Sequence, residues 1–320
     1  MSATVPGIRL VMVLTENQTL VGDRDLRGLV SLAVEAEAAG VDAVMLSEHV
    51  LLGPDSGAAG EMVNPRAYAA PGNQSPSTAW PSSIVLLSAI AQATSTLRLV
   101  AGAIIAPLRH PLLLAKELGT LDLLSGGRLV VLPTVSWSRD EYAALGVPFA
   151  ERGRILDEQL EVLATAYGPF PISHDGSRFP FADVWLEPGA FTAAGPTMWF
   201  GGQGMHPPLA RRIARYGQGL NPFGPLTSDD LALLADVMRE HGRDLAELEM
   251  VGGVRGTFHG TDDLADLDVA MADVPAQLEQ GFTSFCFKPA MFVEDAAQVG
   301  DLCRDLVCRF DLAMAGYSEP

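Results

Sequence analysis

Along the chain, short apolar runs alternate with longer stretches whose apolar residues recur at helical spacing. Residues 7–15, 41–46, 97–105, 128–132, 198–200, 219–221, 249–258 and 283–287 are runs of strand length. Helical patterns separate them at 25–39, 82–94, 112–124, 151–167, 207–216, 228–240, 266–280 and 294–310. In the fourth of these the stripe is Ile155, Leu156, Leu160, Leu163 and Tyr167, with Arg152, Arg154, Asp157 and Glu161 mostly off it. Gly126 and Gly127 close the helix before them, Ser228 reads as an N-cap, and Pro275 should kink or restart the helix it falls in.

Strand, helix, strand with buried-type apolar runs is the mark of parallel pairing. Eight such alternations predict a (β/α)8 barrel, with a doubly wound open sheet as the alternative. Two segments interrupt the rhythm. Residues 50–81 are rich in Gly, Pro, Ser and Asn, carry Arg66, Tyr68 and Trp80, and read as a substrate-side lid. Residues 168–197 read as an insertion with a small hairpin in SHDGSRFPFADVWLEP.

In a barrel the reactive groups stand beyond the carboxyl ends of strands. Glu48 and His49 end the second strand, and a histidine titrating near neutrality suits proton transfer, although both residues would equally serve as rim hydrogen bonders. Arg109 and His110 follow the third strand and could meet a substrate or form a rim salt bridge. A polar loop, residues 134–140, follows the fourth and carries Trp137, with Glu141 just beyond. Trp137 could wall a ligand or merely plug the packing. After the fifth strand, Gly201, Gly202, Gln203 and Gly204 let backbone N–H groups face an anion ahead of a helix. Pro207 occupies the place of a third glycine, so this is no dinucleotide fingerprint. Lys288 follows the eighth strand, either meeting an anion or standing solvated, and Phe282, Phe285 and Phe287 around it read as core.

The runs LDLLSGGR and ALGVPFAERGRILDEQLEVL, with the strand and the Trp137–Glu141 loop between them, closely resemble the luciferase-like monooxygenases, whose members use flavin or the deazaflavin F420. The likeness extends more loosely over almost the whole chain and leans to the F420-dependent branch. It favours the barrel and implies hydride transfer between coenzyme F420 and a small organic substrate. Glu48 and His49 would handle the proton. It further implies a non-prolyl cis peptide behind the ring, here between Ala103 and Ile104, a cofactor wall that includes Thr134, and a cofactor phosphate at Gly201–Gly204. By their own places at strand ends and in the lid, Trp80, Arg109, His110, Trp137 and Lys288 are the candidate substrate contacts, and the resemblance implies a homodimer. One departure stands out: the glycine-rich segment that relatives carry after the fourth strand is Leu132, Pro133, Thr134, Val135 and Ser136 here. An FMN-dependent monooxygenase using oxygen is the alternative enzyme, and a barrel that only binds or assembles is the alternative of another class.

Composition narrows the partners. The 320 residues are 48% hydrophobic and 19% charged, enough for one large domain. The formal charge of −18 leaves no basic surface for nucleic acid. The N-terminal stretch lacks a basic segment followed by a long apolar core, and no window has the length of a membrane span, so a soluble cytoplasmic protein is expected. Cys286, Cys303 and Cys308 have neither an even count nor a CxxC pair, which argues against a disulfide framework or a metal site and for small core residues.

Overall fold

Apolar strands that must bury both faces need helices outside and side chains inside, and the computed structural model, which describes residues 8–317, meets both needs by closure. In chain order the strands are β1 (Arg9–Val13), β2 (Ala43–Leu46), β3 (Arg98–Ile105), β4 (Leu129–Thr134), β5 (Ile172–His174), β6 (Phe181–Val184), β7 (Thr197–Phe200), β8 (Gly219–Leu220), β9 (Glu249–Gly253) and β10 (Ser284–Phe287). The helices are α1 (Leu26–Ala38), α2 (Ser83–Ala93), α3 (Pro111–Ser125), α4 (Arg139–Ala144), α5 (Arg152–Thr165), α6 (Pro207–Tyr216), α7 (Ser228–Glu240), α8 (Leu267–Met271), α9 (Val274–Glu279) and α10 (Val299–Tyr317). Eight parallel strands form a closed barrel in the order β1-β10-β9-β8-β7-β4-β3-β2, while β5 and β6 make the separate antiparallel hairpin expected in the insertion. This is the predicted (β/α)8 architecture. The expected start of the first strand at Gly7 lies outside the described residues.

Alternation along the strands divides the interior into two cores. Val11, Val13, Met45, Val100, Leu132, Trp199 and Val251 fill the barrel itself. Leu10, Met12, Leu46, Leu99, Phe200 and Phe285 face outward, against the helices. Trp199 fits the barrel axis because β8 begins with glycine: a Cβ at Gly219 would stand 2.2 Å from the indole Cδ1. Beneath it the amino-terminal mouth is closed by ions. Glu249 accepts from Arg98 at 2.8 and 3.0 Å and from Ser284 at 2.6 Å, with Arg9 at 3.1 Å. Burial opposes ionisation of Glu249, but the bonds and charge of Arg98, with Ser284 and Arg9, hold its carboxyl below the ordinary value.

Gly126 and Gly127, at φ +67° and +82°, turn the chain from α3 into β4. Arg128 is the outcome of that turn: its guanidinium donates to the carbonyls of Ala91, Thr94, Leu97 and Ser125, tying α2 and α3 to the strand bases. Several expected boundaries shift for local reasons. Pro275 restarts the helix rather than kinking it, giving α8 and α9. Thr227, not Ser228, caps α7, because its hydroxyl and the Asp230 carboxylate form a reciprocal capping box. The last helix starts at Val299, behind a short turn that Asp295 and Gln298 cap. The polar loop after β4 is shorter than expected, since Ser138 caps α4 and puts Glu141 in its first turn. Of the cysteines only Cys303 is wholly core; Cys286 faces the barrel mouth and Cys308 is exposed, correcting the expectation for both. Among the described residues no helix is long and apolar enough to cross a membrane.

Candidate active site

The carboxyl end of the barrel opens into a cavity of about 640 Å³, within the roughly 300–1,000 Å³ common for small-molecule sites. Its floor is the top of the inner core, Val13, Met45, Leu132 and Cys286. Its walls are the loops that follow the strands.

His49 is the most organised polar group there. Its Nδ1 lies 3.2 Å from Glu141 Oε2, and its ring stands steeply inclined, at 76° and 75°, to Trp80 and Trp137 at centroid distances of 5.0 and 5.5 Å. Glu141 is fully buried and also accepts from the Val50 N–H at 2.8 Å and the Ser136 hydroxyl at 3.0 Å. An ionised Glu141 keeps the proton on His49 Nδ1, which leaves Nε2 as the acceptor. Ser136 adopts φ +56°, a left-handed conformation that glycine would take without strain, so serine here exchanges backbone ease for a bond to Glu141.

Glu48 has a different task from the one expected. Its Oε1 accepts from the Ile105 N–H at 2.9 Å and Arg109 Nη1 at 2.7 Å, and its Oε2 from Arg109 Nη2 at 2.8 Å and the Ser83 hydroxyl at 3.2 Å. Glu48 lines the cavity, and with bonds on both oxygens it ties the end of β2 to the end of β3. Arg109 is committed with it and does not line the cavity. His110 is also off the cavity, capping α3 through its Nδ1 and meeting Phe179 of the insertion edge-on at 5.4 Å.

The cis peptide lies between Gly102 and Ala103, one residue before the expected Ala103–Ile104 bond. The β3–β4 register shifts there, so Ala103 lines the cavity while Ile104 turns outward into the helix-facing core. Thr134, Trp80 and Trp137 line the cavity, as do Gly201, Gly202 and Gln203. Gly204 does not, because the Met205 N–H donates to Asp230 at 2.8 Å and draws that part of the loop toward α7. His206, Arg152 and Arg212 lie along the same wall. Burial, then the Arg212 charge, holds the His206 imidazole below its ordinary value. The charged residues of α5, which lie off its apolar stripe, divide their work: Asp157 pairs with Arg212 and Glu158 caps the insertion, while Arg152 reaches the cavity and packs on Phe149.

Lys288 is buried and lines no part of the cavity. It donates to the Ala67 carbonyl at 2.8 Å beneath the Tyr68 ring, and burial, countered by Glu16, pushes its ammonium down to about 8. The segment above it is pinned. Asn64 donates to Asp263, Arg66 donates to the carbonyls of Ala290 and Val293, and Glu16 accepts from the Ala69 N–H at 2.8 Å. The expected lid is thus, over residues 64–69, a strap fixed across one side of the mouth.

Several cavity residues escaped the sequence reading. Glu16 follows β1 at φ +63°, enclosed by protein yet open to the cavity, and burial raises its carboxyl despite Lys288, Ala69 and His49. Asn221 and Arg255 line the cavity as well, beside Tyr68, which the expected lid already carried. Glu16 was legible from its place, the polar run TENQ directly after an apolar strand. Arg255 was hidden because the seventh strand was expected to run past it to residue 258, whereas β9 ends at Gly253.

Comparison with known proteins agrees with this fold. The fold aligns over 95% of this chain and all of the coenzyme F420-dependent tetrahydromethanopterin reductase of Methanopyrus kandleri, with a TM-score of 0.69 at 14% identity, a likeness of fold alone. An uncharacterized Mycobacterium tuberculosis protein is 32% identical over 163 residues, and the match spans 50% of this chain and 57% of that one. The FMNH2-dependent dimethylsulfone monooxygenase of Pseudomonas putida is 30% identical over 123 residues, 38% of this chain and 34% of the enzyme. The profile of the family described as luciferase-like monooxygenase matches residues 9–290, nearly the whole barrel, and with the closed fold and its open carboxyl end this chain belongs to that family.

Proposed function

We propose that this luciferase-like oxidoreductase uses coenzyme F420 and a small organic substrate in the cavity at the barrel's carboxyl end, with His49 handling the proton. The observation that carries the reading is the setting of His49, oriented by a buried carboxylate, flanked by two tryptophans in T-shaped contact, and presenting Nε2 as its available nitrogen. The residues present fit such a cofactor. The cavity volume suits a ring system, Gly102 and Ala103 give it a wall with little side chain, and a Cβ at Gly202 would touch only Leu209, at 3.4 Å. Arg152, Arg212 and His206 beside Gly201–Gln203 suit an anionic tail. When bound, the deazaflavin would carry the hydride. His49 gives or takes the proton at Nε2, Glu141 holds the imidazole through Nδ1, and Trp80 and Trp137 keep bulk water from the ring. Glu48 is a positioning residue that fixes β2 against β3 through Arg109.

Separate titrations of the protein with F420 and with FMN, followed by tryptophan fluorescence, test the cofactor. Tighter F420 binding is expected; equal binding, or none, defeats it. His49→Ala should retain the cofactor and lose roughly 10²- to 10⁴-fold in turnover, the usual worth of a positioned acid or base. Unchanged turnover would remove the role of His49 and favour a barrel that only binds. A second reading, an FMN-dependent monooxygenase using oxygen, is supported by the identity shared with the dimethylsulfone enzyme, and preferential FMN binding would select it.

A further inference from the structure

We infer that the cavity takes a small organic monocarboxylate, its carboxylate held by Arg255 with the Tyr68 hydroxyl and the Asn221 amide. The inference rests on the reading that this cavity is the substrate site.

The positively charged or chargeable groups that line the cavity differ in one respect. Arg152 donates to the Phe149 carbonyl, Arg212 is paired with Asp157 and Gly153, His49 with Glu141, and His206 accepts from the Leu209 N–H. Arg255 makes no hydrogen bond or ion pair with any described residue, although its guanidinium carries five donors. It folds back along the end of β9, where its Nε lies 3.6 Å from the place a Cβ would take on Gly253.

Two further donors share this arc. The Asn221 amide, just past β8, reaches only sulfur, Met45 Sδ and Cys286 Sγ, both at 3.9 Å. The Tyr68 hydroxyl has no hydrogen-bond partner among the described residues. Burial raises it well above its ordinary value, so it stays a donor, and Arg255 is near enough to oppose that rise. A cation, an amide and a phenol thus line one side of the cavity, and among the described residues none of the three side chains donates to an oxygen. The exposed guanidinium is met by water in the empty cavity, whereas the half-buried amide and phenol gain most from an acceptor that a ligand supplies.

The charge count selects the anion. One guanidinium matches one negative charge, and its fork suits the two oxygens of a carboxylate. A phosphomonoester, which carries about −1.5 to −2 near neutrality, exceeds that single charge. Around the barrel Arg255 follows β9 and His49 follows β2, three strands apart by way of β10 and β1. The carboxylate therefore anchors the substrate on one side while its reacting carbon lies toward His49.

The test is equilibrium binding, read by calorimetry with and without bound F420. The probes are straight-chain carboxylates from acetate to octanoate and benzoate, each set against its neutral amide. The wild-type protein should prefer acids over the matched amides by about tenfold or more, the scale of one hydrogen bond to a charged group. Arg255→Ala should abolish the preference, Arg255→Lys should keep part of it, and Tyr68→Phe should reduce it. Because Arg255 is exposed and unpaired, its loss leaves the fold intact. Equal binding of acids and amides, no binding across both series, or a preference that survives Arg255→Ala would each overturn the assignment. A failure of F420 to bind would sink the cofactor reading alone, since the acid–amide comparison is made without cofactor as well.

Discussion

Among the described residues His49 has one hydrogen-bond partner, and that partner is buried with no other basic group on it, so orientation of the imidazole depends on Glu141. Glu141→Gln keeps the shape and removes the charge. Turnover should fall by roughly 10- to 100-fold, the range seen when carboxylates that orient liganded histidines are changed, while cofactor affinity measured by fluorescence stays put. Glu48 predicts the opposite signature. Its loss in Glu48→Ala strands Arg109 and the Ile105 N–H, and breaking such a pair costs about 3 kcal/mol, the low end of the usual range because Arg109 is partly open to water. Urea unfolding should record that cost. A variant as stable as wild type would mean the pair holds nothing.

Among the elements, β8 is the shortest strand of the barrel and the one whose composition is least free. Gly219 gives Trp199 its space, and Gly219→Ala places a methyl 2.2 Å from an indole that the barrel walls keep from moving. A loss of about 1–3 kcal/mol is expected from such overpacking. Gly22→Ala, where a Cβ meets nothing within 4 Å, should change stability by no more than about 0.5 kcal/mol. Melting temperatures of the two variants compare the predictions directly. The strap over residues 64–69 shows how an irregular element becomes rigid: it has no ladder of its own, and buried Arg66, Lys288 and Asn64 supply the bonds that a sheet would otherwise give.

For the whole molecule the informative variable is alkaline pH. The sequence contains only two lysines, Lys116 and Lys288, so few amines titrate there. Burial brings the Lys288 ammonium from 10.5 to about 8, and the unfolded chain therefore binds that proton more tightly between these values. Stability should rise as pH climbs through this window, by about 3 kcal/mol at most, and the rise should vanish in Lys288→Met. Denaturant unfolding at pH 7.5 and at pH 10 measures it; a wild-type slope equal to that of the variant would contradict it. Glu16 works with the reverse sign in acid: its carboxyl is raised above 4.5, so its contribution is full below that value and is lost as pH rises through the raised one. The apolar rhythm of the sequence determined the order of the elements and the strand ends where polar residues gather, because burial is a local property written in the spacing of side chains, but it left a closed barrel and an open sheet both possible. Which of those polar groups would be consumed by one another was decided only on closure. Glu48 meets Arg109 across 61 residues, His49 meets Glu141 across 92, and Lys288 reaches Ala67 across 221, pairings that depend on register and on which loops share an arc of the mouth. Arg255 is left over by the same closure, and only the assembled cavity distinguishes a cation without a partner from one that has found it.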